Sequence, residues 1–186
     1  MQLSLLLFLV GFGVMYLLLL TFALGALSAA PWVPTRKKTR RFLFDNLELR
    51  DGETVCDIGC GNAGLLFEAL DRNPRIRAVG IDVALPPLLY AMWHRWRGRG
   101  RYANLRLVWG NFYWRDLGAM DTVFCFLLPR SYGKVTAKLA KSLKDSARVI
   151  VEGWPLPGIE PLREIRQPGG LPFFFYEARQ LKAAKA

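Results

Sequence analysis

The stretch Val55-Cys56-Asp57-Ile58-Gly59-Cys60-Gly61-Asn62-Ala63-Gly64 decides how the rest of the chain is read. A short apolar run ends in an acidic residue and a glycine-rich turn, and a helical run, Leu65 to Leu70, follows. Glycines at such a turn let the backbone come close to a ligand, because no Cβ blocks the approach. The spacing satisfies G-x-G-x-x-G, the dinucleotide fingerprint, which alone discriminates little. Asp57 sharpens it. Standing just ahead of the first glycine, its carboxylate is expected at the carboxyl end of the strand, facing the crevice. A dinucleotide sets its pyrophosphate against the helix N-terminus, and a carboxylate there would repel it. A ligand with an ammonium or sulfonium group is favoured by the same charge.

Working outward, strand and helix alternate. Thr35 is expected to cap a helix running to about Leu47. Asp51-Gly52 turns into a first strand, Thr54 to Ile58, and a helix from about Gly64 to Asp71 is broken by Asn73-Pro74. A strand from about Arg77 to Ile81 ends in Asp82. Leu85 to Arg97 reads as a helix opened by Pro86-Pro87 in its first turn. Leu105 to Trp109 is a third strand. Asp121 to Phe126 is a fourth, with the apolar run expected of a buried parallel strand. Tyr132 to Leu143 is an amphipathic helix and Ala147 to Glu152 a fifth strand. Arg163 to Arg166, the Pro168-Gly169-Gly170 turn and Pro172 to Glu177 form a terminal hairpin. This alternation predicts an α/β sandwich with a mostly parallel sheet and a C-terminal antiparallel hairpin. Its ligand crevice lies beyond the carboxyl ends of the strands, at the switch point.

Residues 2–30 contain no charged side chain and are rich in Leu, Phe, Val, Ala and Gly. A bilayer core needs about 20 apolar residues as a helix, so one N-terminal transmembrane helix is expected, uncleaved because the run is long and lacks a basic leader. The expected organisation is an anchor over residues 1–30, a link and helix over 31–50 that opens with Pro31-Trp32-Val33-Pro34-Thr35, and a domain over 51–186. Arg36, Lys37, Lys38, Arg40 and Arg41 follow the apolar run, which puts the domain on the cytoplasmic side of a bacterial inner membrane or organelle membrane. The net charge of +11 fits anionic lipid head groups better than nucleic acid for a tethered chain. The three cysteines, Cys56, Cys60 and Cys125, and the single histidine, His94, have no metal-ligand spacing. No metal is expected.

Four segments fall at strand ends on one edge. Asp57 with Gly59, Cys60, Gly61 and Asn62 ends the first strand. Asp82 ends the second, where a carboxylate can bond two ribose hydroxyls. Asn111 and Phe112 follow the third, placed to pair with an adenine amino group and to pack on the ring. Phe126-Leu127-Leu128-Pro129 follows the fourth, where an acceptor would enter. Together with Asp57 they favour S-adenosylmethionine (SAM) over a nicotinamide dinucleotide as cofactor.

On these residues the chain resembles the class I, Rossmann-like, seven-strand SAM-dependent methyltransferases. More narrowly it is similar to the membrane-anchored mitochondrial protein lysine methyltransferases that act on the adenine nucleotide translocase or the c-ring protein of ATP synthase, and to their soluble archaeal relatives. Besides the glycine turn, the matching segments are Pro31 to Thr35, Val79-Gly80-Ile81-Asp82, Gly110-Asn111-Phe112 and Ala147-Arg148-Val149-Ile150. Asn62 stands where these relatives usually carry Asp, and Asp82 where they often carry Glu. The first exchange implies weaker cofactor binding and the second keeps the ribose contact.

The resemblance implies methyl transfer to lysine ε-amines of a membrane or membrane-adjacent protein. A lysine must lose its proton first, since its ordinary pKa is about 10.4, and the apolar mouth at Phe126 to Pro129 suits that desolvation. The mouth has no Asn or Asp to hold a nucleobase amine, which argues against a nucleic-acid enzyme. No general base is assigned; Tyr132 and His94 read as packing or surface residues. The alternatives are a methyltransferase for a small or lipid-like acceptor and a SAM-binding membrane module without catalysis. The aromatic and arginine run from Ala91 to Arg101 fits a lipid interface, a core helix or RNA.

Overall fold

The computed structural model describes residues 2–28 and 34–184, so Pro31, Trp32 and Val33 of the expected link lie outside it. A seven-stranded sheet runs in the order β3-β2-β1-β4-β5-β7-β6. β1 (Thr54–Ile58), β2 (Arg77–Asp82), β3 (Leu105–Trp109), β4 (Thr122–Cys125) and β5 (Arg148–Glu152) are parallel. β7 (Pro172–Glu177) returns antiparallel to β5, and β6 (Arg163–Arg166) pairs antiparallel with β7 at the edge. The order reverses between β1 and β4, which makes the crevice beyond them the ligand position of such a sheet.

Helices α2 (Lys37–Asp45), α3 (Gly64–Arg72) and α4 (Leu85–Arg97) cover one face. Helices α5 (Tyr132–Ser142) and α6 (Ala178–Ala183) cover the other. Side chains alternate between the two faces of a strand, and the two cores sort accordingly. Val55, Ala78, Phe124 and Ile150 pack under α2 and α3, whereas Cys56, Val123, Val149 and Val151 pack under α5 and α6. The same alternation, carried to the strand ends, puts Asp57, Asp82, Phe126 and Glu152 on the α2–α3–α4 side.

One local expectation is corrected. Thr35 does not cap α2: the cap position is Arg36, without a side-chain bond, because the Thr35 hydroxyl donates to Glu152 instead. The expected C-terminal hairpin is present as β6 and β7, and the chain continues from it into α6. There the Glu177 N–H donates to Gln180 Oε1 at 2.9 Å and the Glu177 side chain accepts in return, a reciprocal capping box.

At the amino-terminal edge of the sheet, buried Glu53 accepts from Arg148 and Thr122. Its other carboxylate oxygen accepts from the Arg50 N–H at 2.8 Å. Asp121 accepts from the Thr54 N–H at 2.7 Å and pairs with Lys144. These contacts tie β1, β4 and β5 together at the end away from the crevice.

Helix α1 (Gln2–Ser28) stands apart. Among the described residues it is the one helix long and apolar enough to cross a bilayer, over Leu3–Thr21, and none of that window is buried. It touches the domain where Thr21 Oγ1 accepts from the Leu85 N–H at 3.2 Å.

Replacing Arg148 by Ala leaves Glu53 charged and buried. The expected loss is about 3 kcal/mol of unfolding free energy, read by urea denaturation of the detergent-solubilised chain, with SAM affinity unchanged in native buffer.

Candidate functional site

A cavity of about 340 Å³ opens at the carboxyl ends of β1, β2, β4 and β5. Its floor is the glycine turn. The Gly59 and Cys60 N–H groups both donate to Ile81 O, at 2.8 and 3.2 Å, and the Gly61 N–H donates to Asp82 Oδ2 at 2.6 Å. Gly59 has φ +82°, and a Cβ there would come within 3.2 Å of Leu127. Gly80 beneath the turn is required too, since a Cβ would lie 2.8 Å from the Cys60 sulfur. That contact turns the Cys60 side chain into the core. All three thiols are buried, and burial pushes them up, away from the thiolate.

Every cofactor residue expected from sequence lines this one cavity: Asp57, Gly59, Cys60, Gly61, Asn62, Asp82, Asn111 and Phe112. Asp57 is 8% exposed. Burial pushes its carboxyl up to about 8, and the charges of Asp82 and Glu152 push the same way. Asp82 is raised by burial against the pull of backbone N–H bonds from Ala84 and Gly61. One oxygen accepts from Gly61 and the other from Ala84 at 2.7 Å. Each keeps a second lone pair for a hydroxyl donor. Asn111 Oδ1 caps a 3-10 turn, Phe112–Trp114, by accepting from the Tyr113 N–H at 2.9 Å. Its amide nitrogen and one lone pair are left for a base. Phe112 is buried, its ring tilted against that of Tyr113 with centroids 4.2 Å apart.

Of the acceptor residues, Phe126, Leu127 and Leu128 line the cavity. Pro129 does not: it opens a further 3-10 turn, Pro129–Ser131, because its ring lacks the N–H and fixes φ for a first turn. Tyr132 is fully buried. His94 packs among Phe67, Tyr90 and Tyr102. Neither borders the cavity.

Sequence reading missed several wall residues. Glu152, at the end of β5, is 6% exposed and lines the cavity beside Trp154. Burial raises its carboxyl, opposed by the Thr35 hydroxyl, which donates to Oε2 at 2.7 Å. The available signal was a third acidic strand end, after Asp57 and Asp82. Arg40, counted with the juxtamembrane basic run, folds into the wall instead. Its guanidinium donates to Thr35 O at 2.5 Å, while its Nε is buried without a partner among the described residues.

The cavity therefore offers three carboxylates and one underused guanidinium. SAM carries an ammonium, a sulfonium, two ribose hydroxyls and one carboxylate, and this donor set matches each of them. Asp57, Asp82 and Arg40 all line the cavity.

A Rossmann-like sheet with this crevice defines the class I SAM-dependent methyltransferases. Residues 57–163 match the ANTKMT methyltransferase domain. The chain belongs to that family and is an enzyme that takes SAM as its cofactor. It is 26% identical over 140 residues to a protein-lysine N-methyltransferase of Saccharolobus islandicus, covering 75% of this chain and 86% of that one. It is 27% identical over 131 residues to the human lysine N-methyltransferase named for the c-ring protein of ATP synthase, covering 70% of this chain and 54% of that one, about half its length. An RNA methyltransferase from Salinibacter ruber, solved with S-adenosyl-L-homocysteine, superposes with a TM-score of 0.73 at 18% identity, over 78% of this chain and 94% of that one. That likeness concerns the fold.

Asp57 sets a pH dependence. In the folded chain its proton is held up to about pH 8, whereas an unfolded Asp releases it near ~3.9. So far as this group acts, the free protein is most stable below the lower value and loses that contribution as pH rises toward the upper. A bound cation favours the ionised form. Calorimetric titration near neutral pH, in buffers of different ionisation enthalpy, is expected to show proton release on SAM binding. Asp57→Ala should abolish SAM binding with the far-UV circular dichroism unchanged. Arg40→Met should weaken it roughly 10- to 100-fold, the value of a hydrogen bond to a charged group.

Proposed function

We propose that this chain is a membrane-tethered protein-lysine methyltransferase. The observation that carries the reading is Glu152 at the end of an apolar mouth. Phe126, Leu128, Trp154 and Leu171 border that mouth, and they suit the four methylenes of a lysine. The buried carboxylate beyond them suits its ammonium. A neutral lipid-like acceptor has no use for such a carboxylate. The names of the Saccharolobus and human relatives support the same acceptor class.

The cofactor, when bound, supplies an electrophilic methyl group on sulfur. What the chain does is positional. Asp57, Asp82, Asn111 and Arg40 hold the cofactor. The apolar wall excludes water and lowers the acceptor pKa by desolvation. Glu152, raised by burial, receives the ammonium and takes up its proton, and Thr35 fixes the carboxylate through its hydroxyl.

The anchor is α1, with residues 31–50 leading into a domain over 51–186. None of its apolar window is buried. Arg36, Lys37, Lys38 and Arg41 follow it in sequence without lining the cavity, so they remain available to anionic head groups. Their placement after the span assigns the domain to the cytoplasmic side.

Incubation of the full chain with methyl-labelled SAM and a membrane extract, followed by separation of protein from lipid, is expected to leave the label in lysine of the protein fraction. Label in the lipid fraction would overturn the acceptor class. Glu152→Gln is expected to lower the turnover rate on a lysine acceptor about 100-fold, the usual scale of proton-transfer catalysis. SAM affinity should be retained and the pH–rate profile flattened on its acidic side.

A further inference from the structure

Helix α4 is apolar on two opposite faces. Pro87, Leu88 and Ala91 are buried against α3 and the sheet. Leu89, Met92, Trp93 and Trp96 recur at helical spacing on the far side, and all are exposed, Trp96 at 76%. Apart from its start, where Leu85 meets Thr21 of α1, that far side is exposed among the described residues. Four bulky side chains in one stripe form the kind of contiguous patch that marks an interaction site.

Three observations identify what covers it. The first is charge. A shallow groove beside the stripe is bordered by Arg95, Trp96, Arg97 and Arg99, and the Arg97 guanidinium lies 4.8 Å over the Trp93 ring. No acidic residue lies between Leu85 and Arg101. The second is residue type: Trp and Tyr are the side chains that settle at a membrane–water boundary, and basic residues flank the apolar face of helices lying in that boundary. The third is position. Helix α1 is 27 residues long, and at 1.5 Å per residue that is enough to cross the ~30 Å hydrocarbon thickness. Thr21, in its second half, accepts the Leu85 N–H, so the start of α4 is held against the proposed anchor. Trp109, half-exposed at the end of β3, is held at the same start by donating to Val83 O at 3.0 Å.

We infer that the outer face of α4 docks on an anionic bilayer surface, with Trp93 and Trp96 among the head groups and Arg97 and Arg99 on lipid phosphates. The domain then has two attachments, one spanning and one lying flat. Val83 and Ala84, which join β2 to α4, also line the cofactor cavity. Docking therefore fixes the cavity relative to the membrane plane. The inference rests on the reading of α1 as an anchor.

The test uses the full chain in vesicles of phosphatidylcholine and phosphatidylglycerol, with a polarity-sensitive fluorophore on Met92→Cys. The native cysteines are buried, so the label goes to the new site. Lys141→Cys, on α5 across the sheet, is the control. Brominated acyl chains are expected to cause loss of emission at position 92 and none at 141, with the loss at 92 abolished by adding W93E and W96E. A subsequent alkaline carbonate wash reads the anchor separately. Emission at 92 that brominated lipid leaves unchanged, in a chain that resists the wash, overturns the docking and leaves the anchor standing. A chain that washes off after showing quenching at 92 overturns the anchor alone. Excimers between pyrene-labelled copies at 92, or an emission change on adding RNA without lipid quenching, would assign the face to a second copy or to nucleic acid and overturn the inference.

Discussion

The Gly61 N–H donates to Asp82 Oδ2, and the Gly59 and Cys60 N–H groups share Ile81 O. These bonds fold the loop after β1 over the end of β2, and the rest of the ligand edge depends on them. With the loop in that position, Asp57 faces the cavity instead of water, and α3 starts where its buried face, Leu65, Leu66, Ala69 and Leu70, meets the sheet. Gly80 must lack a side chain so that Cys60 can lie beneath the turn. A carboxylate thus helps to form the cavity floor before it meets any ligand.

The two ends of the sheet treat acid oppositely. At the amino-terminal edge, Glu53 is matched by Arg148 and Asp121 by Lys144. At the carboxyl edge, Asp57, Asp82 and Glu152 share one cavity, and among the described residues none of the three forms an ion pair. Each is pushed up by burial. Unmatched buried charge is destabilising, and it concentrates where perturbed groups mark function. In a chain of net charge +11, cations for pairing are plentiful, so this cavity stays acidic through its packing. A cationic cofactor supplies what the fold leaves out.

Much of this was legible in one dimension. Leu85 to Arg97, Leu105 to Trp109 and Pro172 to Glu177 were bounded by proline, glycine and apolar period alone, and the structure places α4, β3 and β7 there. Asp57 and Asp82 were legible because each closes an apolar strand beside a turn. Glu152 closes a strand in the same way, but Gly153 and Trp154 after it match no known turn motif, so it read as the end of a core strand. Thr35 and Arg40 were misassigned for a different reason. Their partners are set by tertiary contact: Thr35 bonds a carboxylate 117 positions away, and no local pattern encodes that meeting. The capping box that starts α6 was local and was overlooked, because a helix of 6 residues has too short a period to announce itself.

The segment between α1 and α2 bears on how tethering and chemistry relate. Pro34 and Thr35 line the cavity, Thr35 holds Glu152, and Arg40 closes back on the Thr35 carbonyl. The chain that leaves the proposed anchor is therefore also a wall of the site, next to the acceptor carboxylate. A tether that served only to raise local concentration could join the domain anywhere on its surface. Joined here, it brings the proposed acceptor mouth close to the proposed membrane surface. The wall forms only if residues 34–40 are drawn across the carboxyl edge of the sheet, so the same hydrogen bonds that complete the cavity wall also set where the segment after the proposed anchor joins the domain.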